Sequence, residues 1–500
     1  MPARVVEVAV PLPFQTPFSY RLPAGACLPE VGTRALVPFG ARRVVGVVTG
    51  EGREDPAVPL KEVLEVLDEQ PLPTPALLQL ASWMAEHYLA PPGECYRLVL
   101  PPAGARTSRA VARLTTEPTA APDDPVVQAL LGGPVRVSTL AHRLGKDPTA
   151  SLARLRRAGV VSVEQSLKLP GFRHVRVASL TGVQAPLRGT AQTEVVERLR
   201  RAGGRLAVPE LVRDRPALRG AVRRLEELGV VRVEDERSTR TPTMLEGGLA
   251  TAPTPSAEQA QVLEPILDAV SAREFTTFLL HGITASGKTE VYFRAAEQAL
   301  EAGLGCLILV PEIALTPLLS RAAVARFGPT VSVIHSELSL GERHDQWWRI
   351  RVGEVRVVVG ARSALFSPIE DLGLIVVDEE HESAYKQQES PRYHARDVAV
   401  VRGKLEGAPV VLGSATPSVE SYANALAGKY RMLVLGARIR AGGLPRVEII
   451  DRRQVAGVDG SPILTPNLQE ALAERLARHE QSLLLLNRRG YATSLICRVD

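Results

Sequence analysis

Apolar and polar positions alternate in short runs over the first hundred residues. The runs are rich in β-branched residues, are separated by proline and glycine, and occupy residues 5–10, 18–22, 34–40 and 42–50. This pattern is typical of the strands of a small β-barrel or sandwich. Residues 77–88 then place apolar side chains at helical spacing and predict one helix. We therefore predict a β-rich domain over residues 1–105.

An internal repeat marks the next part of the chain. The sequence LRRAGVVSVE at 155–164 recurs as LEELGVVRVE at 225–234, and two helical patterns precede each copy. Two helices, an arginine-bearing third helix, a glycine turn and a β-hairpin make up a winged helix-turn-helix. We therefore predict a winged-helix region over residues 106–240. Its third helices would either enter a major groove of DNA or serve as protein-interaction or spacer elements.

From residue 250 the pattern changes to continuous apolar runs that alternate with amphipathic helices. Strands that are apolar throughout are buried on both faces of a parallel sheet. The pattern predicts a doubly wound, RecA-like α/β lobe over residues 250–435, with ligands bound at the carboxyl ends of its strands. Residues 436–500 contain an apolar run at 483–486, which predicts a strand of a further domain that this sequence starts and does not complete.

Composition and charge exclude some classes of protein, such as secreted and membrane-spanning proteins, but do not identify the function. The chain carries a net charge of +5, with arginines concentrated in residues 105–240, which suits a polyanionic partner and is equally expected from a GC-rich genome. The four cysteines lie far apart in sequence, so they predict neither a disulfide framework nor an internal metal site. The N-terminus lacks the pattern of a signal peptide, and no apolar run is long enough to span a membrane. We therefore expect a cytoplasmic protein without a membrane partner.

The octapeptide GITASGKT, which begins at Gly282, matches the phosphate-binding P-loop pattern between a strand and a helix. Its glycines let backbone N–H groups face phosphate oxygens. Lys288 is expected to reach the β- and γ-phosphates of ATP, and Thr289 to hold Mg²⁺. For Gln259, upstream of the loop, contact with adenine and a position on a helix surface are both open. The residues predicted to bind nucleotide are Gly282, Ser286, Gly287, Lys288, Thr289, Gln259, Asp378 and Glu379.

Two further strand ends complete the pattern of a DEAD-box-like helicase lobe. The run LIVVDEEH brings Asp378 to a strand tip, where it can hold Mg²⁺, and places Glu379 to polarise the attacking water. The segment GSAT follows another strand, and its small residues are predicted to sense the γ-phosphate and couple it to DNA: Ser414, Ala415 and Thr416. With the P-loop, these segments indicate a helicase rather than a kinase or GTPase, and the predicted catalytic residues are Lys288, Asp378 and Glu379.

The order of these motifs resembles that of the PriA family of bacterial replication-restart helicases, members of superfamily 2. The resemblance rests on the segments VPFG (37–40), LVPEIALTP (309–317), HSELSLGERHDQWW (335–348), VVGARSALFSP (358–368), VVDEEHESAYKQQESPRYHARD (376–397), LGSATPSVESY (412–422) and LLLNRRGYA (484–492). It covers essentially the whole chain. It implies an ATP-dependent helicase that unwinds DNA in the 3′ to 5′ direction, binds forks and D-loops, and promotes reloading of the replicative helicase.

The resemblance also assigns roles to individual residues. In that family the N-terminal β domain binds the 3′ end of a nascent leading strand, and the corresponding residues here are Phe18, Ser19, Gly40 and Lys61. The winged-helix region contacts the duplex. An aromatic, basic loop after D-E-E-H couples single-stranded DNA to hydrolysis, since rings stack on bases and cations hold the backbone. With the arginine of G-A-R-S, the predicted DNA-binding residues of the lobe are Arg362, Tyr385, Lys386, Arg392, Tyr393, His394 and Arg396. The implied partners are forked and single-stranded DNA, single-stranded-DNA-binding protein, and the replicative helicase or its loader.

Four departures from the family pattern limit what it implies. Ser19 stands where the family usually has Asp and offers a weaker, neutral hydrogen bond to a terminal hydroxyl, and Ala361 replaces a Thr. Asp500 stands where the second cysteine of a zinc module is expected, and Cys497 alone cannot form a structural zinc site, which needs four ligands. Residues 436–500 contain only the start of the second helicase lobe, which supplies the family's arginine finger.

These departures leave alternatives open. The sequence is either a segment of a longer helicase or a shortened relative that binds ATP with little turnover. The second case corresponds to a non-catalytic DNA-fork-binding scaffold without ATPase and helicase activity. A restriction or chromatin-remodelling translocase would share the ATPase lobe, but the N-terminal β domain argues against that class.

Overall fold

The chain divides into two compact units, residues 1–440 and 441–500. The computed structural model describes residues 4–40, 42–54, 59–102, 109–115, 124–145, 148–166, 173–183, 185–238, 252–311, 317–439, 446–451 and 464–485. Within these ranges, every helix is too short or too polar to cross a membrane.

Five antiparallel strands form the N-terminal sheet, in the order β2-β1-β4-β3-β5. They are β1 (Val5–Ala9), β2 (Phe18–Arg21), β3 (Arg34–Phe39), β4 (Arg42–Glu51) and β5 (Glu65–Val66). Helices α1 (Pro75–His87) and α2 (Pro92–Val99) follow. The start of α1 is fixed by Thr74, whose hydroxyl accepts from the Leu77 N–H, and by a proline in the first turn. The predicted β-rich character of this region and its helix are confirmed.

Two small three-stranded units follow, and each contains three helices. The first consists of β6 (Arg109–Leu114), α3 (Pro125–Leu130), β7 (Val135–Arg136), α4 (Val137–Leu144), α5 (Thr149–Arg157) and β8 (Val161–Ser166). The second consists of β9 (Arg173–Leu180), α6 (Thr190–Arg201), β10 (Arg205–Ala207), α7 (Val208–Leu211), α8 (Leu218–Glu227) and β11 (Val231–Ser238). The repeated order of helices agrees with the predicted repeat.

The predicted β-hairpin after the third helix is not formed between β8 and β9, and in the second copy its return strand would fall after Ser238, outside the described residues. Strand β8 pairs with β6, and β11 pairs with β9 over eight residues, so each returning strand pairs with the strand that precedes the first helix. The sheet orders are β7-β6-β8 and β10-β9-β11. An apolar strand after the third helix indicates that pairing occurs, but the alternation of side chains does not specify which neighbour supplies the hydrogen bonds.

A seven-stranded parallel sheet forms the α/β lobe, in the order β14-β15-β13-β16-β17-β12-β18. Its strands are β12 (Thr277–Gly282), β13 (Gly305–Leu309), β14 (Val331–Ile334), β15 (Val357–Gly360), β16 (Leu372–Asp378), β17 (Val410–Ser414) and β18 (Arg431–Leu435). Its helices are α9 (Ala257–Ala272), α10 (Lys288–Glu301), α11 (Pro317–Phe327), α12 (Leu340–Arg351), α13 (Ala395–Glu406) and α14 (Val419–Leu426). The predicted RecA-like architecture is confirmed. Because β16, β17 and β12 are adjacent, the three motif-bearing strand ends meet.

The N-terminal domain and the α/β lobe share one hydrophobic core. Helix α1 packs along α13, and Leu77, Leu80 and Met84 of α1 are fully buried in the same cluster as Val398 of α13 and strands of the parallel sheet. Burying a side chain of this size stabilises a fold by about 1.5–3 kcal/mol. The two regions are therefore held together by packing and not only by the chain that links them.

The second unit contains helix α15 (Pro466–Ala477), whose start is capped by the Thr465 hydroxyl. The apolar run at 483–486 is predicted as a strand, but residues 483–485 are not in a strand and Leu483 is 98% exposed. An apolar run becomes a strand only where a neighbour pairs with its backbone, and the described residues of this unit provide none. Cys497 and Asp500 lie outside the described residues.

Candidate functional site

The loop between β12 and α10 has the geometry of a phosphate-binding loop. Gly287 lies in the left-handed region at φ +82° just before α10, and a Cβ there would come within 2.3 Å of the Gln259 side chain. Lys288 Nζ donates a hydrogen bond to the Gly282 carbonyl oxygen at 3.0 Å. The buried Ser286 hydroxyl has no hydrogen-bond partner among the described residues. A phosphate oxygen would satisfy this hydroxyl and compete for the lysine.

Gln259 joins the first helix of the lobe to this loop. Ser256 and Gln259 form a reciprocal capping box at the start of α9. Gln259 Nε2 also donates to the Gly287 carbonyl oxygen at 3.1 Å, and the residue is only 4% exposed. The alternative of a glutamine on the helix surface is therefore wrong, while contact with adenine stays a prediction.

Asp378 ends strand β16 beside the lysine of the loop. Tyr292 of α10 donates its hydroxyl to Asp378 Oδ1 at 2.9 Å, and Gly413 leaves room for that ring because a Cβ there would lie 1.7 Å from the hydroxyl. Glu379 adopts φ +45°, a left-handed conformation that is strained for a residue with a side chain. Its Oε1 lies 3.7 Å from Lys288 Nζ. Two adjacent carboxylates therefore share one ammonium group.

These side chains fit ATP with a magnesium ion. Burial and the neighbouring Glu379 raise the pKa of Asp378, and a bound cation would relieve both effects. Among the described residues, no three His, Cys, Asp or Glu side chains cluster as a metal cage. Mg²⁺ usually takes one or two protein ligands and completes its shell with water and phosphate oxygens. Asp378 and the half-buried Thr289 would hold it here.

Asp378→Asn is expected to stabilise the nucleotide-free chain near pH 7. A pKa above the unfolded value means that this carboxyl stabilises the fold below its ordinary pKa of about 4, and that the contribution is lost as the pH rises through the folded-state pKa. Asparagine stays neutral throughout. Scanning calorimetry should give a higher melting temperature for the variant at pH 7, with the difference disappearing below about pH 4.

The same variant should lose its stabilisation by ATP and magnesium. Asp235→Asn, which changes an exposed aspartate of β11, is the matched control and should leave both properties unaltered. A lower melting temperature for Asp378→Asn than for the unaltered chain at pH 7 would contradict this account of the buried carboxyl.

Glu380, which the sequence analysis missed, joins the end of β16 to α13 and α14. It is fully buried, and it accepts from the Ser418 N–H at 2.6 Å and from the Ser418 and Ser421 hydroxyls at 2.9 Å. Arg396 donates to the same carboxylate at 3.1 Å. A buried ion pair is tolerated when its remaining lone pairs are satisfied in this way. The D-E-E-H motif draws attention to Glu380 in the sequence, but the sequence does not indicate that Arg396, Ser418 and Ser421 are its partners.

His381 connects D-E-E-H with the GSAT segment and was also missed. Its Nδ1 lies 2.7 Å from Ser414 Oγ and its Nε2 lies 3.4 Å from Thr416 Oγ1. The Thr416 N–H donates to Ser414 Oγ at 3.0 Å, and Ala415 lies between the two. The predicted coupling residues therefore contact the strand end that carries Asp378, and their response to the γ-phosphate stays a prediction.

The loop after D-E-E-H is packed inward. Tyr385 is 1% exposed and donates its hydroxyl to the Asp378 carbonyl oxygen at 2.7 Å. Tyr393 is 3% exposed and packs edge to face on Phe366, while Arg396 is held in the buried ion pair described above. The prediction that these residues contact DNA does not agree with this conformation, because apolar neighbours and a carboxylate already cover them.

The outer part of that loop presents cations. Lys386 and Arg392 are exposed, and Lys386 Nζ donates to the Arg392 carbonyl oxygen at 2.7 Å. Arg362 donates to the Lys386 carbonyl oxygen at 3.0 Å. The His394 N–H donates to the Tyr88 hydroxyl at 3.4 Å, and burial lowers the pKa of His394. The loop is thus held against the end of α1, and its contact with DNA stays a prediction.

The four residues predicted to receive a 3′ end line one cavity of the N-terminal domain. Its volume is about 220 Å³, and the residues are Phe18, Ser19, Gly40 and Lys61. Gly40 lies at φ +59° in the turn between β3 and β4. The other lining residues are Tyr20, Pro38, Phe39, Pro59 and Leu60. A largely apolar cavity with one ammonium group and the hydroxyls of Ser19 and Tyr20 is suited to a sugar and base carrying a terminal hydroxyl.

Two family models match the chain, and each covers one of these sites. The 3′DNA-binding domain (3′BD) matches residues 7–101, and the DEAD/DEAH box helicase domain matches residues 256–425. Both domains therefore belong to the chain, and the second is an ATP-binding domain.

The chain is similar to proteins named replication restart protein PriA from several bacteria. That of Bacillus subtilis (strain 168) is 34% identical over 96% of this chain and 61% of its own length. That of a Synechocystis species is 32% identical over 96% of this chain and 60% of its own length. That of Chlamydia pneumoniae is 45% identical over 55% of this chain and 37% of its own length. The chain spans about three fifths of the length of the first of these relatives. With these two domains in this order and similarity along nearly the whole chain, the chain is similar to the replication restart proteins PriA.

Proposed function

We propose that this protein binds ATP with Mg²⁺ and binds forked DNA through a free 3′ end, as part of replication restart. The observation that carries the proposal is the meeting of Lys288, Asp378 and Glu379 at adjacent strand ends. The 3′-end cavity lies in the same compact unit. Together with the second lobe of a longer chain, the protein would unwind DNA in the 3′ to 5′ direction. The alternative is a fork-binding scaffold without ATPase and helicase activity.

The nucleotide site assigns a task to each side chain. Lys288 and the loop N–H groups bind the phosphates, while Asp378 and Thr289 hold the magnesium ion that neutralises the developing charge. Binding of phosphate at Lys288 would draw its ammonium group away from Glu379, which lies 3.7 Å away. The freed Glu379 carboxylate can then orient the attacking water and accept its proton.

The end-binding cavity supplies recognition of DNA that ends at a fork. Phe18 and the other apolar lining residues cover the base and sugar, Ser19 can hydrogen-bond the terminal hydroxyl, and Lys61 can pair with the adjoining phosphate. As protein partners we propose single-stranded-DNA-binding protein and the replicative helicase or its loader. This role would place the protein in the cytoplasm.

The test is ATP hydrolysis and fork binding by the 500-residue chain. Two forks should be compared, one with a 3′-hydroxyl at the branch and one with a 3′-phosphate there. We expect tighter binding of the hydroxyl end, and we expect Lys61→Ala to weaken it by roughly tenfold or more. Lys404→Ala, which removes an exposed cation of α13, is the control outside the cavity.

The outcomes separate the two candidates. Hydrolysis stimulated by the hydroxyl-ended fork supports the helicase. End-specific binding without hydrolysis supports the scaffold. Equal affinity for both ends, unaffected by Lys61→Ala, would rule out end recognition by this cavity.

A further inference from the structure

We infer that the 3′-end cavity continues into a second subsite for the penultimate nucleotide, formed by Phe14 and Arg42. The inference rests on the proposed function, because it requires a DNA 3′ end in the neighbouring cavity. The ligand of this subsite is a nucleobase with its phosphate, in a single strand.

Three aromatic rings meet at the edge of the cavity. The Phe14 ring centroid lies 5.1 Å from that of Phe18 and 5.4 Å from that of Phe39, and the last two are 5.3 Å apart. Phe18 and Phe39 line the cavity, and Phe14 packs on both of them while remaining 41% exposed. Rings packed edge to face leave part of one ring free for another aromatic group. A base leaving the cavity would meet that surface next.

The loop that carries Phe14 is preorganised. Prolines stand at positions 11, 13 and 17 between β1 and β2, and each fixes one backbone angle. The Phe14 N–H donates to the Leu12 carbonyl oxygen at 2.7 Å, and the Leu12 N–H donates to the Val10 carbonyl oxygen at 2.7 Å. Little conformational entropy is therefore lost when a base stacks on the ring.

Cations flank the rings. Arg42 is exposed and is the cross-strand partner of Phe39 in the β3–β4 ladder, and directly paired residues project from the same face of a sheet. Lys61 lines the cavity itself. Aromatic faces beside cations are the recurring composition of sites for single-stranded nucleic acid. Because Ser19 offers only a neutral hydrogen bond, stacking should carry a larger share of the affinity here.

The test measures dissociation constants by fluorescence anisotropy, using the 500-residue chain and a single-stranded oligonucleotide with a 3′-hydroxyl. A second oligonucleotide is abasic at the penultimate position only. We expect the abasic change to weaken binding roughly 5- to 20-fold. Phe14→Leu should weaken binding of the intact oligonucleotide by the same factor and remove the difference between the two oligonucleotides. Phe14→Tyr, which keeps the ring, should restore both.

The contribution of Arg42 is measured separately, through the salt dependence of the affinity for DNA. Arg42→Gln should reduce the slope of log affinity against log salt by about 0.7, the value for one phosphate contact of a single strand. The subsite is overturned if the unaltered chain prefers a 3′-hydroxyl over a 3′-phosphate but binds intact and abasic oligonucleotides equally. If it shows no preference between the two ends, the proposed end recognition itself fails.

Discussion

Lys288→Ala is expected to weaken binding of ATP with magnesium by about 30- to 1,000-fold, equivalent to about 2–4 kcal/mol. The lysine side chain is only 10% exposed and serves both the Gly282 carbonyl oxygen and Glu379. Its removal leaves two carboxylates without a cation at the place where phosphates must bind. Isothermal titration with a non-hydrolysable ATP analogue and magnesium measures the change, and any ATP hydrolysis should be lost with it.

Lys404→Ala is the control for that measurement, because it removes an exposed lysine of α13 that does not belong to the nucleotide site. Its affinity for the analogue should equal that of the unaltered chain. Unchanged affinity in Lys288→Ala would mean that the GKT loop does not bind the phosphates.

Glu380→Gln is expected to destabilise the α/β lobe by about 3 kcal/mol, because it removes the fully buried partner of Arg396 and leaves only Asp397, whose side chain is half exposed, to pair with it. For a lobe of this size that corresponds to a melting temperature lower by about 6–10 °C, measurable by scanning calorimetry. The fully buried carboxylate also holds both serines at the start of α14, so the link between the ends of β16 and β17 should loosen together with the lobe.

Two further variants make that result specific. Glu227→Gln removes one partner of the exposed Arg224–Glu227 pair of α8 and should change stability by less than about 1 kcal/mol. The double variant Glu380→Gln/Arg396→Gln should recover part of the loss, because it removes the buried guanidinium group together with its buried carboxylate. A Glu380→Gln protein as stable as the unaltered chain would show that the buried pair contributes nothing net.

The nucleotide site was largely predictable from sequence because its geometry is local. A strand followed by GITASGKT and a helix places Lys288 and Thr289 through backbone constraints alone, and LIVVDEEH places Asp378 at a strand tip. The partners of these residues were not predictable. Tyr292 reaches Asp378 across 86 residues of sequence, and Tyr88 reaches His394 across 306, so only the packed fold brings them together.

The conformation of the loop after D-E-E-H, in contrast, could not be predicted from the sequence. Its composition of tyrosines, arginines and a lysine suits contact with DNA and also suits burial, because Tyr carries a large apolar ring with one polar group. Composition cannot distinguish the exposed Lys386 from the buried Tyr385 one position earlier. That distinction depends on a short 3₁₀ turn at Ser383–Tyr385 that points the tyrosine toward Asp378.

Because α1 packs on α13, the N-terminal domain and the α/β lobe are not independent structural units, although the family models match them separately. A cut after residue 105 would separate family modules cleanly, yet it would strip apolar cover from α13, the helix that also holds Arg402, which is fully buried against the carbonyl oxygens of Leu365 and Ser367. The N-terminal domain and the α/β lobe therefore form one structural unit. The two three-helix units between them each have a core of their own, so that interior does not depend on their packing.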